Sequence, residues 1–124
     1  MIGPHRPSEI LLCSADASPK SQKAQPAEAG IFFPGAKWVG AVRNSARRMQ
    51  CPFLILSTAY GMVTNDEIIN PFDLHIDVYP EKVKEIWNRT IPSVLSNKRY
   101  RIMVFYAGGC PRESYIDLIK PLLK

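Results

Sequence analysis

Apolar residues along this chain fall into two alternating patterns. Glu9 to Ala15 contains the unbroken run Ile10, Leu11, Leu12 and Cys13, the mark of a strand buried on both faces. Phe53 to Ser57 and Arg101 to Ala107 repeat it, the latter centred on Ile102, Met103, Val104 and Phe105. Between these runs the apolar positions recur near every 3.6 residues. Trp38, Val39, Val42, Ala46 and Met49 form one stripe, in a helix that Pro34 opens and Pro52 ends. Val83, Ile86, Trp87, Ile91 and Val94 form a second, opened by Pro80, with Pro92 expected to bend or end it. Asn97 to Arg99 is polar punctuation. Pro111 opens a third helix through Tyr115, Ile116, Leu118 and Ile119, and Pro121 limits its last turn.

Buried strands alternating with amphipathic helices predict a small α/β three-layer sandwich with a mainly parallel sheet and right-handed crossovers. The sheet has three strands, or four if the alternating segment Leu74 to Tyr79 adds one at an edge. With 124 residues, the chain is expected to form a single α/β domain over 1–124. Two long connections remain, Asp16 to Phe33 and Tyr60 to Tyr79. Loops of that length in a compact domain are usually functional or mobile.

Parallel strands place their carboxyl ends on one rim, where open α/β sheets bind ligands. Three loops should meet there. The first carries Ser14, Asp16, Ser18, Lys20 and Lys23, and the second Tyr60, Asp73, His75 and Asp77. The third carries Gly108, Gly109, Cys110, Arg112, Glu113 and Ser114. Gly108-Gly109 before a helix that opens at Pro111 suits a phosphate or carboxylate, with Arg112 as a bidentate donor. The same glycines equally make a tight strand-to-helix turn.

Asp73, His75 and Asp77 share one face if extended, and an Asp orienting a His makes a general base. Alternation also describes the solvent face of an edge strand. Tyr60-Gly61 and Phe72 offer a ring for stacking; alternatively Gly61 supplies a positive φ and Tyr60 packs on the rim. Cys110 stands where a helix N-terminus lowers a thiol pKa, with His75 as a conceivable base. A bland, partly buried thiol fits the position as well. Cys13, Cys110, His75 and Asp73 lack metal-ligand spacing, so no metal is expected, and nothing in the sequence calls for a cofactor.

The remaining composition narrows the setting. No apolar run approaches the ~20 residues of a membrane span, and the N-terminal stretch lacks a signal-peptide apolar segment. Three cysteines at irregular spacing fit a reducing, cytoplasmic environment. The net charge of +5 permits nucleic acid as a partner without demanding it, since only Arg43 and Arg47 share a helical face. A sheet this small leaves edges that a homodimer would cover.

The second loop also carries a family likeness. Leu56-Ser57-x-x-Tyr60-Gly61-Met62-Val63, followed by Glu67-x-Ile69-x-Pro71-Phe72-Asp73-Leu74, resembles a group of small prokaryotic and phage proteins that form a domain of unknown function. Cys13-Ser14, Lys20 or Lys23, Pro26-Ala27 and Gly35 match that group's first loop. The second loop is also similar to that of the peroxide-stress protein YaaA family. A looser similarity joins Pro71 to Leu74 and Tyr79-Pro80 to the N-terminal glycosylase-like region of archaeosine synthase. Phe72 stands for the usual Tyr and Asp73 for the YaaA family's Arg, and the chain is much shorter than YaaA, departures that weaken any transfer of DNA binding. The resemblance implies a three-layer α/β fold and a link to nucleic-acid or nucleobase chemistry.

Taken together, the expected function is a nucleotide- or nucleobase-binding enzyme acting at the strand ends, with N-glycosidic cleavage as the reaction. Asp73 and His75 are the candidate catalytic pair. Ser14, Lys23, Tyr60, Gly61, Phe72, Gly108, Gly109 and Arg112 are the candidate binding residues. The alternative is a non-catalytic nucleic-acid-binding or stress-response module using Arg43, Arg47, Arg48 and the first-loop lysines.

Overall fold

A computed structural model describes residues 6–17, 20, 22–96 and 100–123. Ser18, the Asn97–Arg99 punctuation with its basic Lys98 and Arg99, and the first five residues lie outside these. Three strands stand side by side and parallel: β1 (Ile10–Ala15) in the middle, β3 (Phe53–Ser57) on one side and β6 (Ile102–Tyr106) on the other. Leu12 lies level with Phe53 and Val104, so all three strands end on the same rim.

The fourth strand is not Leu74 to Tyr79. It is β4 (Gly61–Val63), which folds back antiparallel on β3 and gives the order β4-β3-β1-β6. Thr58-Ala59-Tyr60 makes a three-residue hairpin loop, and Gly61 closes it at φ +78°. A Cβ on Gly61 would fall 2.3 Å from Thr90 Oγ1, so sterics and φ both require glycine. Leu74 to Tyr79 instead coils. The Val78 and Tyr79 amides both donate to His75 O, a turn that feeds the following helix. Asp73, His75 and Asp77 therefore do not line one face of a strand.

The long loops hold more order than their composition suggests. β2 (Ala27–Glu28) pairs antiparallel with β5 (Ile68–Ile69), stapling the first loop to the second. A single helical turn, α1 (Ala29–Phe32), follows β2. The next helix, α2 (Lys37–Met49), begins three residues after Pro34. Phe32 and Phe33 are both buried, which fixes the chain there, and Pro34-Gly35 becomes a turn with Ala36 N donating to Phe33 O. α2 ends at Gln50 in the left-handed region (φ 58°), whose amide donates back to Ala46 and Arg47.

α3 (Pro80–Ser96) runs through Pro92 without ending. Pro92 and Asn88, whose carbonyl loses its helical donor, both lie on the exposed side. Val83, Trp87 and Ile91 anchor the opposite side in the core, with Trp87 Nε1 donating to Ser57 O at 2.8 Å. α4 (Arg112–Ile119) completes the fold.

The sheet divides two apolar clusters. On one face, Leu11, Cys13, Leu54 and Leu56 pack against α3 and α4 through Trp87, Ile91, Tyr115 and Ile119. On the other, Ile55 and Val63 pack with Phe32 of α1, Phe33 just past it, Val39 of α2 and Ile69 of β5. Among the described residues no helix is long and apolar enough to cross a membrane.

Candidate functional site

The loops leaving β1, β3 and β6 meet at a cavity of about 160 Å³. Asp16 and Ala17 come from the first loop, Thr58 from the β3–β4 hairpin, Phe72, Leu74, His75 and Ile76 from the coil between β5 and α3, and Gly109, Cys110 and Pro111 from the third loop. Trp38 of α2 and Tyr115 of α4 complete the wall. The volume is close to that which admits one benzene ring.

Asp16 is the chemical centre of this cavity. It follows β1 directly and is 1% exposed. Its Oδ1 accepts from the Tyr115 hydroxyl at 2.5 Å. Its Oδ2 accepts from Thr58 N at 2.9 Å and Thr58 Oγ1 at 3.4 Å. Burial destabilises the carboxylate and pushes its pKa up to about 6, against the opposing pull of the Tyr115 and Thr58 donors and the neighbouring Ser57 hydroxyl. Tyr115 is held firmly in its hydroxyl form by burial and by the charge of Asp16, so it serves as a donor.

Cys110 Sγ donates to Asp16 O at 3.0 Å. Burial first, and the Asp16 charge second, push its pKa up to about 11. Of the two readings of its position, the partial burial and raised pKa of Cys110 fit the bland thiol. Cys13 is fully buried in β1, and desolvation pushes its thiol up to about 12. No group of three or more His, Cys, Asp or Glu side chains among the described residues could hold a metal ion.

The candidate residues separate into those at the cavity and those away from it. His75 lies on its rim; Nδ1 accepts from Asp77 N at 3.3 Å, which leaves Nε2 as the second ring nitrogen. Phe72 forms part of the lining, and its amide donates to Gln22 Oε1 at 3.1 Å. Gly109 faces open space. Gly108 sits behind it at φ +59°, where a Cβ would fall 2.2 Å from the Trp38 ring; Trp38 Nε1 in turn donates to Ala15 O. Gly108 is thus required by its backbone and by Trp38 packing.

Asp73 is exposed and lies outside the lining. Arg112 is also exposed, paired with Glu113 at 3.1 Å. Asp77 accepts from Ser114 Oγ at 2.5 Å, tying the second loop to α4. Tyr60 is engaged with its own loop. Its hydroxyl accepts from Asn70 N and donates to Asn70 O, and its ring stands edge-on to Phe72 at 5.8 Å. Lys20 and Lys23 are exposed, and Lys23 N donates to Phe32 O. Ser14 is buried in β1, with no protein partner for its hydroxyl among the described residues.

Sequence reasoning placed Asp16 on the rim but gave it no role, and missed Thr58, Trp38 and the Tyr115 hydroxyl. A signal was there. Asp16 and Thr58 are the first polar positions past two adjacent buried strands, each carrying its side chain to the same rim. Tyr115 was absorbed into an apolar stripe although a buried Tyr hydroxyl seeks a partner.

Neither a curated protein nor a solved structure matches the chain. The family model of DUF6884, a family of unknown function, covers residues 11–124, and the chain belongs to that family.

Proposed function

We propose that the cavity binds a single-ring nucleobase and that the protein hydrolyses the N-glycosidic bond holding it. The observation that carries this reading is Asp16. It is a buried carboxyl poised near neutrality, in a ring-sized cavity walled by Phe72, Trp38, Leu74 and Ile76. Apolar and aromatic walls with one convergent polar group suit a flat heterocycle. A carboxyl with pKa about 6 is protonated roughly a tenth of the time at pH 7, far more often than an ordinary Asp, and so can act as a general acid.

In the proposed reaction Asp16 gives its proton to the leaving ring nitrogen as the C–N bond breaks. Water adds to the anomeric carbon and releases its proton to solvent, while His75 on the rim, its Nδ1 occupied by Asp77 N, turns Nε2–H to the substrate as a donor. Tyr115 and Thr58 hold the carboxylate so produced. Asp73 and Arg112 would contact the sugar or phosphate side of the substrate, outside the cavity.

The reading is tested by thermal shift with pyrimidines, purines, nucleosides and inorganic phosphate at fixed salt, followed by chromatography for released base. A ligand at 100 times its dissociation constant adds about 2.7 kcal/mol. Stabilisation by pyrimidines above purines, with base release abolished in Asp16→Asn, is the expected result. Stabilisation by phosphate alone, or by none of the set, refutes it. The nucleic-acid-binding alternative loses one of its cations, because Arg43 turns inward and donates to Gly30 O at 2.8 Å.

A further inference from the structure

The sheet is covered unevenly. α3 and α4 both pack on the face that holds Trp87 and Tyr115. On the opposite face α2 lies over β1 and β3, and among the described residues β6 is left bare. The bare side of β6 reads Ile102, Val104 and Tyr106 with no polar residue, and Val104 and Tyr106 are 49% and 55% exposed. Strands of a parallel sheet carry such continuous apolar runs because helices cover both faces.

Beside β6, α2 turns Ala41, Val42, Ser45 and Met49 toward the same space, and Met49 is 53% exposed. Together they form an apolar groove of about 690 Å³ with Val104 and Tyr106 on its floor. Ala41 and Ser45 stand one helical turn apart, so small side chains let another backbone approach α2 closely. At 1.5 Å per residue α2 makes a wall about 20 Å long, which fits roughly four turns of helix.

The charge around the groove selects the occupant. α2 carries Lys37, Arg43, Arg47 and Arg48 and no acid. Lys37 lines one end of the groove, and Arg48 reaches Ser45 Oγ at the other. No acidic side chain among the described residues lines it. A second copy docked here by a two-fold axis would bring Lys37 and Arg48 of one chain beside those of the other, with no acid of α2 to pair them. We propose that the α2–β6 groove is a docking site for an amphipathic helix of another protein, its apolar stripe on Val104, Tyr106 and Met49 and its Asp and Glu residues beside Lys37 and Arg48.

The test uses the whole chain and two labelled 14-residue helical peptides with the same Leu stripe, one carrying Glu and the other Lys at the remaining positions, read by fluorescence anisotropy. The Glu peptide is expected to bind roughly tenfold more tightly than the Lys peptide and to weaken as salt rises. Val104→Asp, at a half-exposed site, is expected to weaken it roughly tenfold with an unchanged melting temperature. If Val104→Asp does not fold, Ala41→Glu on the exposed side of α2 takes its place. Equal binding of the two peptides, binding weaker than about 1 mM, or affinity untouched by the folded variant overturns the proposal. Sedimentation showing a dimer that the variant dissociates also overturns it, in favour of a second copy.

Discussion

The burial of Asp16 makes a quantitative demand on the pH dependence of stability. Its carboxyl titrates near 3.8 when unfolded and is raised to about 6 in the folded protein. The folded state therefore binds this proton more tightly than the unfolded state does. Well below pH 3.8 both states are protonated and Asp16 imposes no ionisation cost. As pH rises through the window from about 4 to about 6, the unfolded chain ionises first, and folding stability falls. Every tenfold gain in proton affinity on folding is worth about 1.4 kcal/mol, so the loss approaches 3 kcal/mol by pH 7. Asp16→Asn removes the titration. It also leaves Thr58 N or Tyr115 without its acceptor, but that penalty does not vary with pH. The assay is urea unfolding of both proteins at pH 4, 5, 6 and 7 and fixed ionic strength. The stability of wild type minus that of Asp16→Asn should drop by about 2 kcal/mol from pH 4 to 7, since other carboxylates cancel in the difference. A difference that stays flat, or that rises with pH, refutes the claim that desolvation outweighs the hydrogen bonds from Tyr115 and Thr58.

Other consequences are checked more simply. Tyr115→Phe removes the Oδ1 donor, so the Asp16 midpoint in the same pH series should move above its wild-type value; a lower midpoint contradicts the assigned role of the hydroxyl. Gly108→Ala combines a left-handed φ with a Cβ inside the Trp38 ring and should cost about 2–4 kcal/mol by urea unfolding; a cost below about 1 kcal/mol would show that Trp38 moves aside freely. Cys13 and Cys110, their pKa values raised by burial, should react with a thiol reagent at pH 8 at least about tenfold more slowly than in urea. Fast labelling of Cys110 in the folded protein would mean that the cavity opens.

Much of this architecture was legible because the strands and helices advertise themselves by period. Leu11 to Cys13, Leu54 to Leu56 and the stripes through Val83, Trp87 and Ile91 are buried where the pattern places them. Misreadings arose where local pattern and tertiary context compete. Leu74 to Tyr79 alternates like a strand, yet only Ile76 is buried there, while the adjacent Gly61–Val63 gains its partner through a short hairpin. Pro34 could open a helix, but the burial of Phe32 and Phe33 turned it into a corner. Pro92 reads as a bend or an end, and α3, with Val83, Trp87 and Ile91 buried on its far side, continues through it. Tyr60 had two readings, a stacking ring or a side chain packed on the rim; it stands against Phe72 and is bonded to Asn70, a pairing across ten residues that no periodicity encodes. The cavity was harder to read because its determinants are single positions, Asp16, Thr58 and Tyr115, joined across 42 and 99 residues.

The position of β1 also governs how the chain acquires its structure. This strand comes first in the sequence yet sits in the middle of the parallel trio, and its partner β6 begins 92 residues later at the Ile10–Ile102 pair. Closing so wide a separation is slow compared with forming α2 or the β3–β4 hairpin. During synthesis, β1 can pair with β3 early, but its other edge stays open until the final fifth of the chain emerges. Asp16 meets Tyr115 and Cys110 only after that edge is filled. The cavity is therefore the last part of the protein to assemble, and a nascent chain stalled before β6 exposes an apolar strand edge without acquiring the pocket.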